Sequence, residues 1–101
     1  EAAIGGKLAS GPSLSGQIDR LAILEDRVLA VDYKTNRPPP KKVEDVPRAY
    51  LGQMAAYRAL LREIWPGKRV ETALLWTYDA RLMPLPDDIL DHAEAQIMTL
   101  A

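Results

Sequence analysis

Asp19, Asp32 and Lys34 are charged residues set in two stretches, 14–24 and 28–35, that are otherwise rich in branched and apolar strand formers. A charge buried in such a stretch needs a partner or a metal ion. Side chains alternate across a strand, so Asp32 and Lys34 share one face and Tyr33 takes the other. Asp19 lies in the preceding stretch, which pairs antiparallel with the second as a hairpin, and a cross-strand approach to Asp32 is open to it. Two converging carboxylates repel unless a cation sits between them, and an all-oxygen site of this kind suits Mg²⁺ or Mn²⁺. A neighbouring ammonium then orients an acidified water or stabilises charge developing on a phosphate. The same Asp-x-Lys triplet is also what a structural ion pair at a strand end presents.

These residues need elements to hold them. Residues 1–9 read as a weak strand interrupted by glycines, and residues 10–13 as a turn. The second hairpin strand is apolar on both faces from Val28 to Val31, which fits a central strand and calls for a covering helix. Three prolines at 38–40 take the chain out of the sheet. Residues 47–65 predict the best helix: Tyr50, Met54, Tyr57, Leu61 and Ile64 recur at 3.6-residue spacing, while Arg58, Arg62 and Glu63 lie away from that stripe. Pro47 suits the first turn and Pro66-Gly67 the stop. Residues 70–78 predict a strand beside the hairpin with the helix as crossover, residues 81–85 a short strand, and residues 87–100 a final helix with Asp87 or Asp88 near its cap. Gln53 and Tyr57, four apart, share a helix face and could reach the end of the strand carrying Lys34. Alternatively Tyr57 is a core aromatic and Gln53 a solvated rim residue. Trp65 and Trp76 read as packing residues, and His92 as a surface histidine.

The chain has 101 residues, 48% hydrophobic and 27% charged, enough for one modest core. It holds no cysteine, so disulfides, thiolate metal sites and cysteine nucleophiles are excluded. Any metal must sit on oxygen or on His92. No apolar run approaches a membrane span and no signal peptide is visible at the N-terminus, so a cytoplasmic location is expected. The net charge of −1 hides an asymmetry: residues 34–69 carry nine bases and three acids, whereas residues 82–101 carry four acids and no base. A basic middle beside an acidic tail could guide a phosphate backbone to one face, and Lys41, Lys42, Arg58 and Arg62 are the candidates for that contact; Arg58 and Arg62 would equally form a solvated helix face.

Gly16-Gln17-Ile18-Asp19-Arg20, then Val31-Asp32-Tyr33-Lys34-Thr35-Asn36, then Gln53 with Tyr57 resemble the PD-(D/E)XK nuclease superfamily, and specifically its RecB-like branch. The stretches 16–21, 31–40, 50–61 and 74–77 are most similar to the C-terminal nuclease domains of the AddA family, the helicase/nuclease subunits of AddAB double-strand-break repair complexes. The resemblance spans about residues 14–86, and the ordered set of motifs is far more specific than any one of them.

The resemblance implies an α/β, restriction-endonuclease-like fold, a mixed sheet flanked by helices, and a magnesium- or manganese-dependent DNA exonuclease. By it, Asp19 and Asp32 would be metal ligands with the Tyr33 carbonyl adding a backbone oxygen, Lys34 the catalytic lysine, and Gln53 and Tyr57 supports of the active site. It implies DNA and an AddB-type subunit as partners, in a bacterial cytoplasm. The family's core opens with a helix that usually gives the site a histidine or glutamate, and the chain here opens at its first strand. It also lacks the Gly-x-x-x-x-Gly-Lys-Ser/Thr loop of an ATPase. The expectation is therefore a single incomplete domain, residues 1–101, of a longer chain whose other parts bind ATP. Such a domain is expected to cleave weakly alone and to self-associate through uncovered sheet surface. A stand-alone RecB-like nuclease and a non-catalytic DNA-binding or scaffolding module are the competing readings.

Overall fold

A computed structural model describes the backbone of residues 2–7 and 13–100 and the side chains of residues 18–96. The turn expected at 10–13 lies outside the described residues apart from Ser13. Strand β1 (Ala2–Lys7) pairs antiparallel with β2 (Ser13–Ile18), and a second sheet holds β3 (Arg20–Ile23), β4 (Arg27–Lys34), β5 (Arg69–Trp76) and β6 (Arg81–Pro84) in that spatial order. The single strand expected over 14–24 is thus divided at Asp19. On one side of it Ile18 pairs with Ala2; on the other Arg20 pairs with Val31. Asp19 stands where the chain changes partner, freed from either ladder. Ile18, with no exposed surface, fastens this corner into the core.

β3 and β4 form the expected hairpin, closed by Leu24 N–H donating to the Arg27 carbonyl at 2.8 Å. β4 then runs parallel to β5 in the register Asp32 to Leu74 and Lys34 to Trp76. Parallel neighbours need a crossover, supplied by helix α1 (Arg48–Ile64). After β4 the prolines turn the chain away, and a 3₁₀ turn at Val43–Asp45 leads to Pro47 at the α1 N-cap. β6 returns antiparallel on β5, and helix α2 (Asp87–Leu100) closes the chain. This is the mixed α/β sheet with flanking helices that the sequence implied. No helix among the described residues is long and apolar enough to cross a membrane.

The core gathers Val28, Ala30, Val70, Leu74 and Trp76 from one face of the sheet with Met54, Ala55, Tyr57 and Leu61 from α1 and Leu90 and Ala93 from α2. The helical stripe needs two corrections. Ile64 is 44% exposed at the C-terminal end of α1, where Trp65 packs against the core instead. Arg58, expected on an open basic face, has no exposed surface at all. The periodicity counted one buried face, but α1 buries two, one against the sheet and one against α2. On the second, Arg58 meets three carboxylates of α2: Asp91 at 2.6 Å, Asp87 at 3.1 Å and Glu94 at 3.4 Å. The acidic tail therefore neutralises part of the basic middle rather than facing it across a groove.

Candidate active site

Lys34 is the last residue of β4, and its ammonium is held from three sides. It lies 2.8 Å from Asp32 Oδ2 in an ion pair and donates to Gln53 Oε1 at 2.8 Å, while the Tyr50 ring sits beneath it with the centroid 4.3 Å away. Its side chain is 15% exposed, so these contacts form with little water between them. Period-two alternation explains the cluster: Asp32 and Lys34 both project toward α1, whose first turns bring Tyr50 and Gln53 onto the facing stripe. Gln53 Nε2 in turn donates to the Tyr57 hydroxyl at 3.3 Å, so both amide groups of Gln53 are engaged. Tyr33 points the other way, 40% exposed, and its hydroxyl accepts from Arg20 Nε at 3.2 Å.

Asp19 reaches the same point from the break between β2 and β3. Its Oδ2 accepts the Tyr33 backbone N–H at 2.8 Å, which fixes the carboxylate one residue from Asp32. Asp32 is 5% exposed. Burial pushes its carboxyl above the usual range; Lys34 pulls it down by hydrogen bond and charge, and Asp19 pushes it up again. Asp19 is therefore close enough to oppose the ionisation of Asp32, the condition that a cation relieves. Among the described residues no three histidine, aspartate or glutamate side chains gather into a metal-ligating group. The fit to a cation thus rests on two carboxylates, their mutual repulsion and the oxygen-only donor set.

The residues singled out for chemistry in the sequence fall into two groups. Asp19, Asp32, Lys34, Gln53 and Tyr57 come together at the C-terminal end of β4. Of the basic candidates, Lys41 and Lys42 are exposed in the loop that follows β4, and Arg62 is exposed in the last turn of α1. Arg62 lies nine residues beyond Gln53, roughly 13 Å along the helix axis and away from Lys34. Arg58 is buried and committed to α2, so it is withdrawn as a surface contact. Two participants were not evident as site residues in the sequence. Tyr50 serves Lys34 and donates its hydroxyl to Asn36 Oδ1 at 2.8 Å, and Thr77 binds the Lys34 carbonyl through both its N–H at 2.9 Å and its hydroxyl at 3.2 Å. The spacing of Tyr50 three before Gln53 was a usable signal, though the stripe made it look like core.

The family model of the PD-(D/E)XK nuclease superfamily matches residues 1–98. The chain belongs to this superfamily. Comparison with curated proteins and with solved structures gives no match. In this PD-(D/E)XK chain the sheet and helices follow the restriction-endonuclease-like plan, and superfamily membership carries nuclease activity and divalent-metal dependence as general properties.

Proposed function

We propose that the protein is a metal-dependent DNA nuclease module that hydrolyses phosphodiesters at the Asp19, Asp32 and Lys34 cluster. The observation that carries this reading is the arrangement of Lys34: a largely buried ammonium shared between Asp32 and Gln53, beside a second carboxylate, in a chain of the PD-(D/E)XK superfamily. A solely structural Asp32–Lys34 pair would have no need of Asp19, held against the same strand by Tyr33 N–H.

Asp19, Asp32 and the Tyr33 carbonyl would hold Mg²⁺ or Mn²⁺. The cation would polarise the scissile phosphate and acidify a water. The chain's own side chains do the remainder. Lys34 places positive charge where negative charge grows on the phosphate as the water attacks, and it orients that water. Gln53 fixes Lys34 by accepting a hydrogen bond from its ammonium, Tyr57 fixes Gln53, and the Tyr50 ring supports the ammonium from below. Such tethering keeps the charge in place before substrate arrives, so little reorganisation accompanies the reaction. Lys41 and Lys42, exposed beyond the end of β4, would contact the phosphate backbone regardless of sequence.

The motif order further supports an exonuclease domain of an AddA-type helicase/nuclease, acting on double-strand ends with an AddB-type subunit, with ATP bound elsewhere in the longer chain. Digestion of linear DNA in Mg²⁺ tests the reading. Mg²⁺-dependent cleavage is expected from the wild-type protein and none from its Asp32→Ala variant. Undiminished digestion by Asp32→Ala would overturn it.

A further inference from the structure

Next to the proposed active site lies a groove of about 430 Å³ that none of the catalytic side chains lines. Its walls are Pro38, Pro39 and Lys41 from the loop after β4, and Tyr78, Asp79 and Arg81 from the turn between β5 and β6. Tyr78 is 61% exposed, more than any other large hydrophobic side chain among the described residues. The Arg37 guanidinium stands over its ring, 5.9 Å from the centroid. The charge around the groove is positive. Among the described residues Asp79 is the one acid in its walls and is paired with Arg81 Nε at 3.2 Å, and Arg37 and Lys41 at the rim have no acidic partner there.

The turn that presents Tyr78 is built with some care. Thr77 ties it to the Lys34 carbonyl by two hydrogen bonds, and Arg81 ties it to the Pro40 carbonyl at 2.6 Å. Ala80 holds φ 52°, a left-handed conformation that non-glycine residues rarely adopt. An exposed aromatic ring, flanked by guanidinium and ammonium groups and anchored to the backbone of Lys34, matches what an unpaired nucleotide requires: a flat apolar surface for the base and cations for its phosphates. An uncharged proline-rich peptide would leave Arg37 and Lys41 without negative charge to meet.

We propose that Tyr78, with Arg37 and Lys41, forms a stacking subsite for an unpaired base of the DNA strand being cleaved, so that the substrate enters the site as single strand. This inference rests on the nuclease reading above and specifies its substrate. Stacking does not need metal, so binding is measured in EDTA, where no bond is cut. The probes are a fluorescein-labelled oligothymidylate and an abasic oligonucleotide of equal length and charge, read by fluorescence anisotropy. Wild-type protein is expected to favour the oligothymidylate, and Tyr78→Ala to lose that preference by about tenfold while binding the abasic strand as wild type does. Tyr78→Phe, which keeps the ring, should retain the preference. The proposal is overturned if Tyr78→Ala binds oligothymidylate as tightly as wild type, if both strands weaken together, or if the groove takes a proline-rich peptide and no oligonucleotide. Cleavage separates the two claims. Asp32-dependent digestion of DNA alongside unchanged oligothymidylate binding by Tyr78→Ala rejects the subsite alone, whereas base-dependent binding without any Asp32-dependent digestion rejects the nuclease reading.

Discussion

Lys34→Ala will lower the rate of Mg²⁺-dependent DNA hydrolysis by about 10²–10³-fold, the loss that follows when one preorganised charge-stabilising donor is removed from an active site. Among the described residues the ammonium is the only cation paired with Asp32, and Gln53 and the Tyr50 ring hold it there. Its removal should therefore reduce kcat more than it raises KM, because the charge it stabilises develops in the transition state. Gln53→Ala leaves the ammonium present but loosely placed, so a smaller loss is expected. In a longer chain that also carries an ATPase, DNA-stimulated ATP hydrolysis should continue in Lys34→Ala. Single-turnover cleavage assays of both variants measure these effects, and full activity in Lys34→Ala would return the Asp32–Lys34 pair to a structural role.

The second large effect concerns stability, and its size depends on which partner is changed. Arg58 is completely buried between α1 and α2, whereas the Asp87, Asp91 and Glu94 side chains that meet it are 56%, 65% and 35% exposed. Removing the acids together, as Asp87→Asn, Asp91→Asn and Glu94→Gln, leaves a guanidinium buried without counter-charge, and should cost about 3 kcal/mol in urea denaturation. Arg58→Met keeps most of the packing and leaves the acids facing water, where they are hydrated. It should cost about 1 kcal/mol or less. The Arg58 Nε points the same way, since among the described residues it is already a buried donor without an acceptor. Equal losses in the two variants would mean that the carboxylates do not hold the helix pair.

What the sequence made visible was set by local chemistry. Prolines 38–40 and Pro66-Gly67 punctuate the chain through φ and missing donors, so β4 and α1 end where expected. Strand alternation placed Asp32 and Lys34 together and Tyr33 apart, and i,i+4 spacing put Gln53 and Tyr57 on one face. The residues misread were those whose surroundings come from distant segments. Arg58 looked solvated because nothing near it in sequence announces that α2 will close over that side of the helix. The break at Asp19 was invisible because residues 14–24 have strand composition throughout, and only the change of partner from β1 to β4 divides them. Tyr78 read as the end of a strand. Thr77, bonded to Lys34, instead starts a turn there and lifts the ring out of the sheet.

Nuclease chemistry at this cluster requires Asp19 and Asp32 to form one divalent-cation site, and calorimetric titration with Mn²⁺ tests that directly. The wild-type protein should show a binding isotherm that disappears in Asp32→Ala and is weakened in Asp19→Ala, with circular dichroism unchanged in both. An isotherm that is the same in wild type and Asp32→Ala would contradict the site.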